Sequence, residues 1–164
     1  MKKPLIHKTA AAFSLVEVTM ALSVCAFCLL AIFGLLPIAL QSNQAAVQQT
    51  AANGILSAVA ADLRVTPVAS GSTSVTSQQF NIPIPLNPVT TSPASTSLYF
   101  TSSGQSSQTL NANSTYLLMV TFLPTSGTNA RSATCANMQV TWPAQALPVL
   151  AAGSAKMFVA LDRN

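Results

Sequence analysis

The chain has 164 residues, of which 50% are apolar and only 6% charged; both values lie far from an ordinary soluble domain and suggest one modest domain behind a specialised N-terminus. The formal charge is +4, but Lys2, Lys3 and Lys8 fall in the first eight residues, and without residues 1–12 four bases face three acids, Glu17, Asp62 and Asp162. The basic balance therefore belongs to the leader, which argues against a clustered nucleic-acid-binding face.

Residues 1–12, MKKPLIHKTAAA, read as a basic leader whose lysines would hold this end in the cytoplasm. Residues 18–40 are apolar except for Thr19 and Ser23, and about 20 such residues suffice to cross a bilayer. A secretory signal peptide has a shorter apolar core and a small-x-small site followed by polar sequence, which is missing here. A lipoprotein signal would place the acylated cysteine at Cys25, but Val24 before it is bulky and the chain stays apolar beyond it. The third feature is Glu17, an acid at the edge of the apolar run, where an ionisable group is costly and therefore a functional candidate.

The run Ala12-Phe13-Ser14-Leu15-Val16-Glu17 resembles the processing motif of type IV prepilins: a small residue, then Phe-Ser/Thr-Leu-(Ile/Val)-Glu. The stretch FSLVEVTMALSVCAFCLLAIFGLLPIALQSNQ, running on to AVAADLR, is similar to the Verru_Chthon cassette protein B family of prepilin-like proteins. It is also similar to pseudopilins and minor pilins of type II secretion and type IV pilus systems. The resemblance covers about residues 1–66, with a faint cue at Val140-Thr141-Trp142-Pro143. It implies that a prepilin peptidase cuts between Ala12 and Phe13, that the new Phe13 amine is N-methylated, and that Glu17 serves subunit assembly. Ala12 stands where the family usually has Gly. The twenty-second position counted from Phe13, often Pro in pilins, holds Gly34, and Pro37 follows three residues later. Both residue types weaken helices, so Gly34 and Pro37 mark the expected helix kink.

The spacing of Phe13 and Glu17 has its own physical logic. Cleavage before Phe13 creates an amine with a reference pKa near about 8, largely cationic at neutral pH. Glu17 sits one helical turn further on. In low dielectric an acid and a cation attract strongly, and each is costly alone. Glu17 of one chain meeting the Phe13 amine of a neighbour would set axial register during assembly.

Beyond residue 40 the helix is expected to continue to about residue 66. At 100° per residue Ala45, Ala52, Leu56, Val59 and Leu63 share a face flanked by Ile55, with Thr50, Asn53, Gly54 and Ser57 opposite, and Pro67 marks the end. The segments are therefore a leader (1–12), a transmembrane or filament-core helix (13–40), an amphipathic continuation (41–66) and a β-rich head with Ser/Thr/Pro-rich loops (67–164). In the head, Phe80, Ile82, Ile84 and Leu86 alternate, but the prolines at 83 and 85 confine this segment to an edge. Strands are expected at residues 98–101, 115–123, 138–142 and 157–161. The second of these is apolar on both faces and so central. The fold class is α+β, a long N-terminal helix packed on a small antiparallel sheet, pilin-like.

Catalysis finds no support. The single histidine, His7, is in the leader, so a Ser-His-Asp or Cys-His site cannot be built in the mature chain. Asp62 and Asp162 read as surface charges rather than a carboxylate pair. No metal-ligand cluster, phosphate loop or cofactor motif is present, and no cofactor is expected. Cys25 and Cys28 read as packing residues in the span, and Cys135 has no evident partner. Arg64, Arg131, Lys156 and Arg163 are scattered, and no nucleic-acid partner is expected. The expected function is a prepilin-like structural subunit, of the minor kind, in a pilus or secretion pseudopilus. Its expected place is the inner membrane, single-pass, with the head in the periplasm or carried outside in a filament. Its partners would be the prepilin peptidase, other pilin-like subunits, the inner-membrane assembly platform and ATPase, and membrane lipid. The alternative is a non-polymerising single-pass protein whose periplasmic head binds a ligand or partner.

Overall fold

The computed structural model describes residues 14–66, 74–85, 94–124 and 134–161. The continuous run of helix-compatible residues becomes one helix, α1, Leu15–Val65. The chain divides into two compact units between Gln44 and Ala45.

In the first unit α1 is the only described element. Each described residue of this unit, 14–44, is exposed, and the most apolar window of the helix has a mean hydropathy of 2.5 with nothing buried. This helix is long and apolar enough to cross a membrane, by length and composition. The helix continues through Gly34 and Pro37 without interruption.

In the second unit the expected stripe of α1 is buried: Ala52, Ile55, Leu56, Val59, Ala60 and Leu63. Ala45, assigned to that face from periodicity, is exposed; burial along the helix begins only near Gln48 and Ala51. Thr66 closes the helix, its amide and hydroxyl donating to Asp62 O at 3.1 and 2.7 Å.

Five strands form an antiparallel sheet beside this stripe. They are β3 (Ala94–Thr101), β4 (Ser106–Ser107), β5 (Ser114–Phe122), β6 (Thr134–Trp142) and β7 (Gly153–Leu161), ordered β4-β3-β5-β6-β7. The centre is β5, as its two-sided apolar pattern requires. Register puts Leu98, Leu118, Val140 and Ala155 in one row across four strands, and all four are buried in the core with the α1 stripe. A fully buried Leu or Val contributes about 1.5–3 kcal/mol, so this shared core holds the later part of α1 against the sheet.

Two short strands, β1 (Ser74–Thr76) and β2 (Pro83–Pro85), form a separate antiparallel pair. The prolines can donate nothing, which keeps the pair small. Its turn is tied by Ser77 N–H to Ile82 O at 2.9 Å and Ile82 N–H to Ser77 Oγ at 3.1 Å. Asn81 takes φ 53°, a conformation that Asn tolerates well. Phe80, Ile82 and Ile84 join the core. Leu86 lies outside the described residues.

Candidate functional site

The N-terminal junction is built on the first turn of α1. Ala12 and Phe13, the expected cleavage and methylation positions, lie outside the described residues, as do His7, Arg131, Asp162 and Arg163. Ser14 O accepts the amides of Glu17 at 3.0 Å and Val18 at 3.2 Å. Ser14 thus stands at the N-cap and Glu17 at the third helical position, the Ser-x-x-Glu spacing of a capping box. That spacing was open to sequence reading and was overlooked there. It gives Glu17 a local stabilising role, since a carboxylate here faces the positive end of the helix dipole. Its side chain is exposed.

Past Glu17 the helix surface is apolar on all sides. The two hydroxyls fold back on the backbone, Thr19 Oγ1 to Val16 O at 2.9 Å and Ser23 Oγ to Thr19 O at 2.8 Å, so neither breaks the apolar surface. Glu17, Val18, Ala21, Leu22 and Cys25 line a furrow along one side. Cys25 and Cys28 are exposed free thiols one turn apart, and Cys135 is a half-buried free thiol on β6.

Asp62 requires a correction. Read as a surface charge, it is half-buried, and its carboxylate accepts two backbone amides, from Gln79 and Phe80, each at 3.1 Å. It ties the β1–β2 turn to the end of α1. The partners lie 17 and 18 residues away in sequence, so no local pattern could have signalled the contact. Arg64 occupies the last turn of α1, where a cation complements the dipole. Lys156 is exposed on β7, opposite Gln139.

Among the described residues a groove of about 330 Å³ lies beside α1, where Ile55, Phe80, Phe100 and Tyr116 meet Gly54 and Ala58 and the polar Gln79, Thr101, Ser102 and Ser103. Burial pushes the Tyr116 phenol above its ordinary value. Among the described residues no three His, Cys, Asp or Glu side chains come close enough to hold a metal.

Comparison with protein-family models, with curated proteins and with solved structures finds no match to this chain. What the fold defines is a class of architecture. A long apolar N-terminal helix continues into a stretch that packs on an antiparallel sheet, a pilin-like arrangement.

Proposed function

We propose that the chain is a prepilin-like structural subunit, of the minor kind, in a type IV pilus or type II secretion pseudopilus-like filament. Prepilin peptidase removes residues 1–12, Phe13 becomes the methylated N-terminus, and the subunit waits in the inner membrane with its head in the periplasm. The observation that carries this reading is the pairing of an apolar helix, exposed on every side, with a single acid in its first turn. A plain anchor gains only the small dipole term at its first turn from that acid, against the cost of burying it in a membrane. In a filament Glu17 gains a partner, the Phe13 amine of the neighbouring subunit, while the apolar surface exchanges lipid for other helices. The platform, the ATPase and the other pilin-like subunits are the partners that such assembly requires.

The test is Glu17→Ala in the full chain, with Glu17→Asp beside it. The expected result is normal leader removal with loss of the subunit from filaments, partly restored by Asp. Normal incorporation of Glu17→Ala would overturn the role given to this acid.

A further inference from the structure

We propose that the groove beside Gly54 is a binding site for an uncharged saccharide, with the buried Tyr116 phenol as a hydrogen-bonding group in its floor and the polar turns at its margins as the rest. The observation that points to a ligand is Tyr116. It lines the groove with only 4% of its surface exposed. Its hydroxyl makes no hydrogen bond among the described residues, and burial alone raises its affinity for the proton. A buried phenol ordinarily finds a partner, so this one is left with a hydrogen bond to give. The groove is also open. A Cβ placed on Gly54 would meet nothing within 4 Å.

Both polar margins are preset. At one, Gln79 is held by its own amide and that of Phe80, which donate to the Asp62 carboxylate at 3.1 Å each; its side chain is exposed. At the other, the β3–β4 turn is closed by Thr101 N–H to Gln105 O and Gly104 N–H to Thr101 O, both at 3.0 Å, and Gly104 takes φ 84°, which suits glycine. Thr101 Oγ1 accepts the Gln105 amide at 3.2 Å and lies 2.8 Å from Ser103 Oγ. One of these two hydroxyls donates to the other, so the pair keeps a hydrogen and lone pairs for a ligand. Groups fixed in advance lose little entropy on binding. The lining selects the chemistry. No charged residue lines the groove, so an ionic ligand would bury its charge unpaired. A wholly apolar ligand would strip water from the Tyr116, Gln79 and Ser103 groups and return nothing. Hydroxyls and a carboxamide each donate and accept, which matches the hydroxyls of a sugar, while Ile55 and Phe80 meet its C–H face. The volume of about 330 Å³ is at the low end for a small-molecule site, roughly 300–1,000 Å³, and suits a terminal sugar rather than a long chain. The site does not depend on the filament reading.

The test is nuclear magnetic resonance of the isotope-labelled full chain in dodecylphosphocholine micelles, which offer no sugar headgroup. The probes are maltose, cellobiose, lactose and N,N′-diacetylchitobiose at millimolar concentration, with cyclohexanol, glucose 6-phosphate and a blocked alanine dipeptide as controls. At least one sugar is expected to shift the amides of Gln79, Ser102, Ser103 and Gly104 while those of β7 stay in place. Tyr116→Phe, which keeps the ring, is expected to weaken that sugar about fivefold, the worth of one neutral hydrogen bond. Ala58→Leu, which fills the groove from an exposed helical position, is expected to weaken it about tenfold or more, with circular dichroism unchanged. Silence from all four sugars would overturn the proposal, as would an affinity that neither substitution lowers. Shifts caused by cyclohexanol or the dipeptide but by no sugar would overturn it too, and would give the groove to an apolar or peptide ligand. None of these results touches the cut at Phe13, so the site and the filament reading fail separately.

Discussion

Residues 15–44 and 45–65 belong to one uninterrupted helix, yet they solve opposite problems. From residue 18 to 40 the first stretch is apolar around its whole circumference, and all of its residues are exposed among those described. The second gathers Ile55, Leu56, Val59 and Leu63 on one stripe and buries that stripe against a sheet, leaving Val47 and Val65 exposed. Helical propensity does not separate them. Pattern does: an all-round apolar surface requires a non-aqueous surrounding, and a stripe requires only a folded neighbour. The acids follow the same division. Glu17 is exposed and reserved for a contact outside the subunit in the proposed assembly, whereas Asp62 is already satisfied by two amides within it.

The sharpest way to break this contrast is to make one deletion in both stretches. Leu56→Ala, at a site 1% exposed, is expected to destabilise the head by about 2–5 kcal/mol, read by chemical denaturation of the detergent-solubilised chain. Leu29→Ala should leave that midpoint unchanged and show only as a loss of about 0.5 kcal/mol in membrane insertion. Comparable damage from both would mean that the first stretch is part of the folded head.

Gly153→Ala comes next. A Cβ there runs into the indole of Trp142, which packs edge-on against Tyr116 with ring centroids 6.1 Å apart. The expected cost is about 1–3 kcal/mol, seen as a lower melting temperature with a weakened Trp near-ultraviolet signal. Asp62→Ala should cost about 1–2 kcal/mol and speed amide exchange at Gln79 and Phe80 ahead of the β5 amides. A uniform rise in exchange would show that Asp62 holds more than the β1–β2 turn.

The smallest effect is alkaline. Burial raises the Tyr116 phenol above 10.0, so the folded head keeps its proton after the unfolded chain has lost it. The stability contributed by this group is fully present below about pH 10 and falls as pH rises through the folded value. Denaturation midpoints should therefore decline above pH 10, and Tyr116→Phe should flatten that decline.

Much of this was legible in the residues because its signal is periodic. The 3.6-residue stripe identified the buried face of α1, and the two-sided apolar run at residues 115–123 identified β5 as central. What escaped had no hydrophobic signal. The strands β1 and β4 are short and largely polar, and pairing alone makes them strands. The first residues of β6 and β7, from Thr134 and Gly153, are likewise recruited by their neighbours. Asp62 was misread because its partners come from a distant turn. At the junction the chemistry of a lone acid singles out Glu17, while the capping spacing from Ser14 to Glu17 was passed over beside it.

The central claim is that the bond between Ala12 and Phe13 turns an anchor into an assembly device. The most direct measurement is mass spectrometry of the N-terminus of the chain purified from membranes of cells that contain a prepilin peptidase. The account predicts a chain beginning at N-methylated Phe13. A chain that retains residues 1–12, or one cut at any other bond, would contradict it.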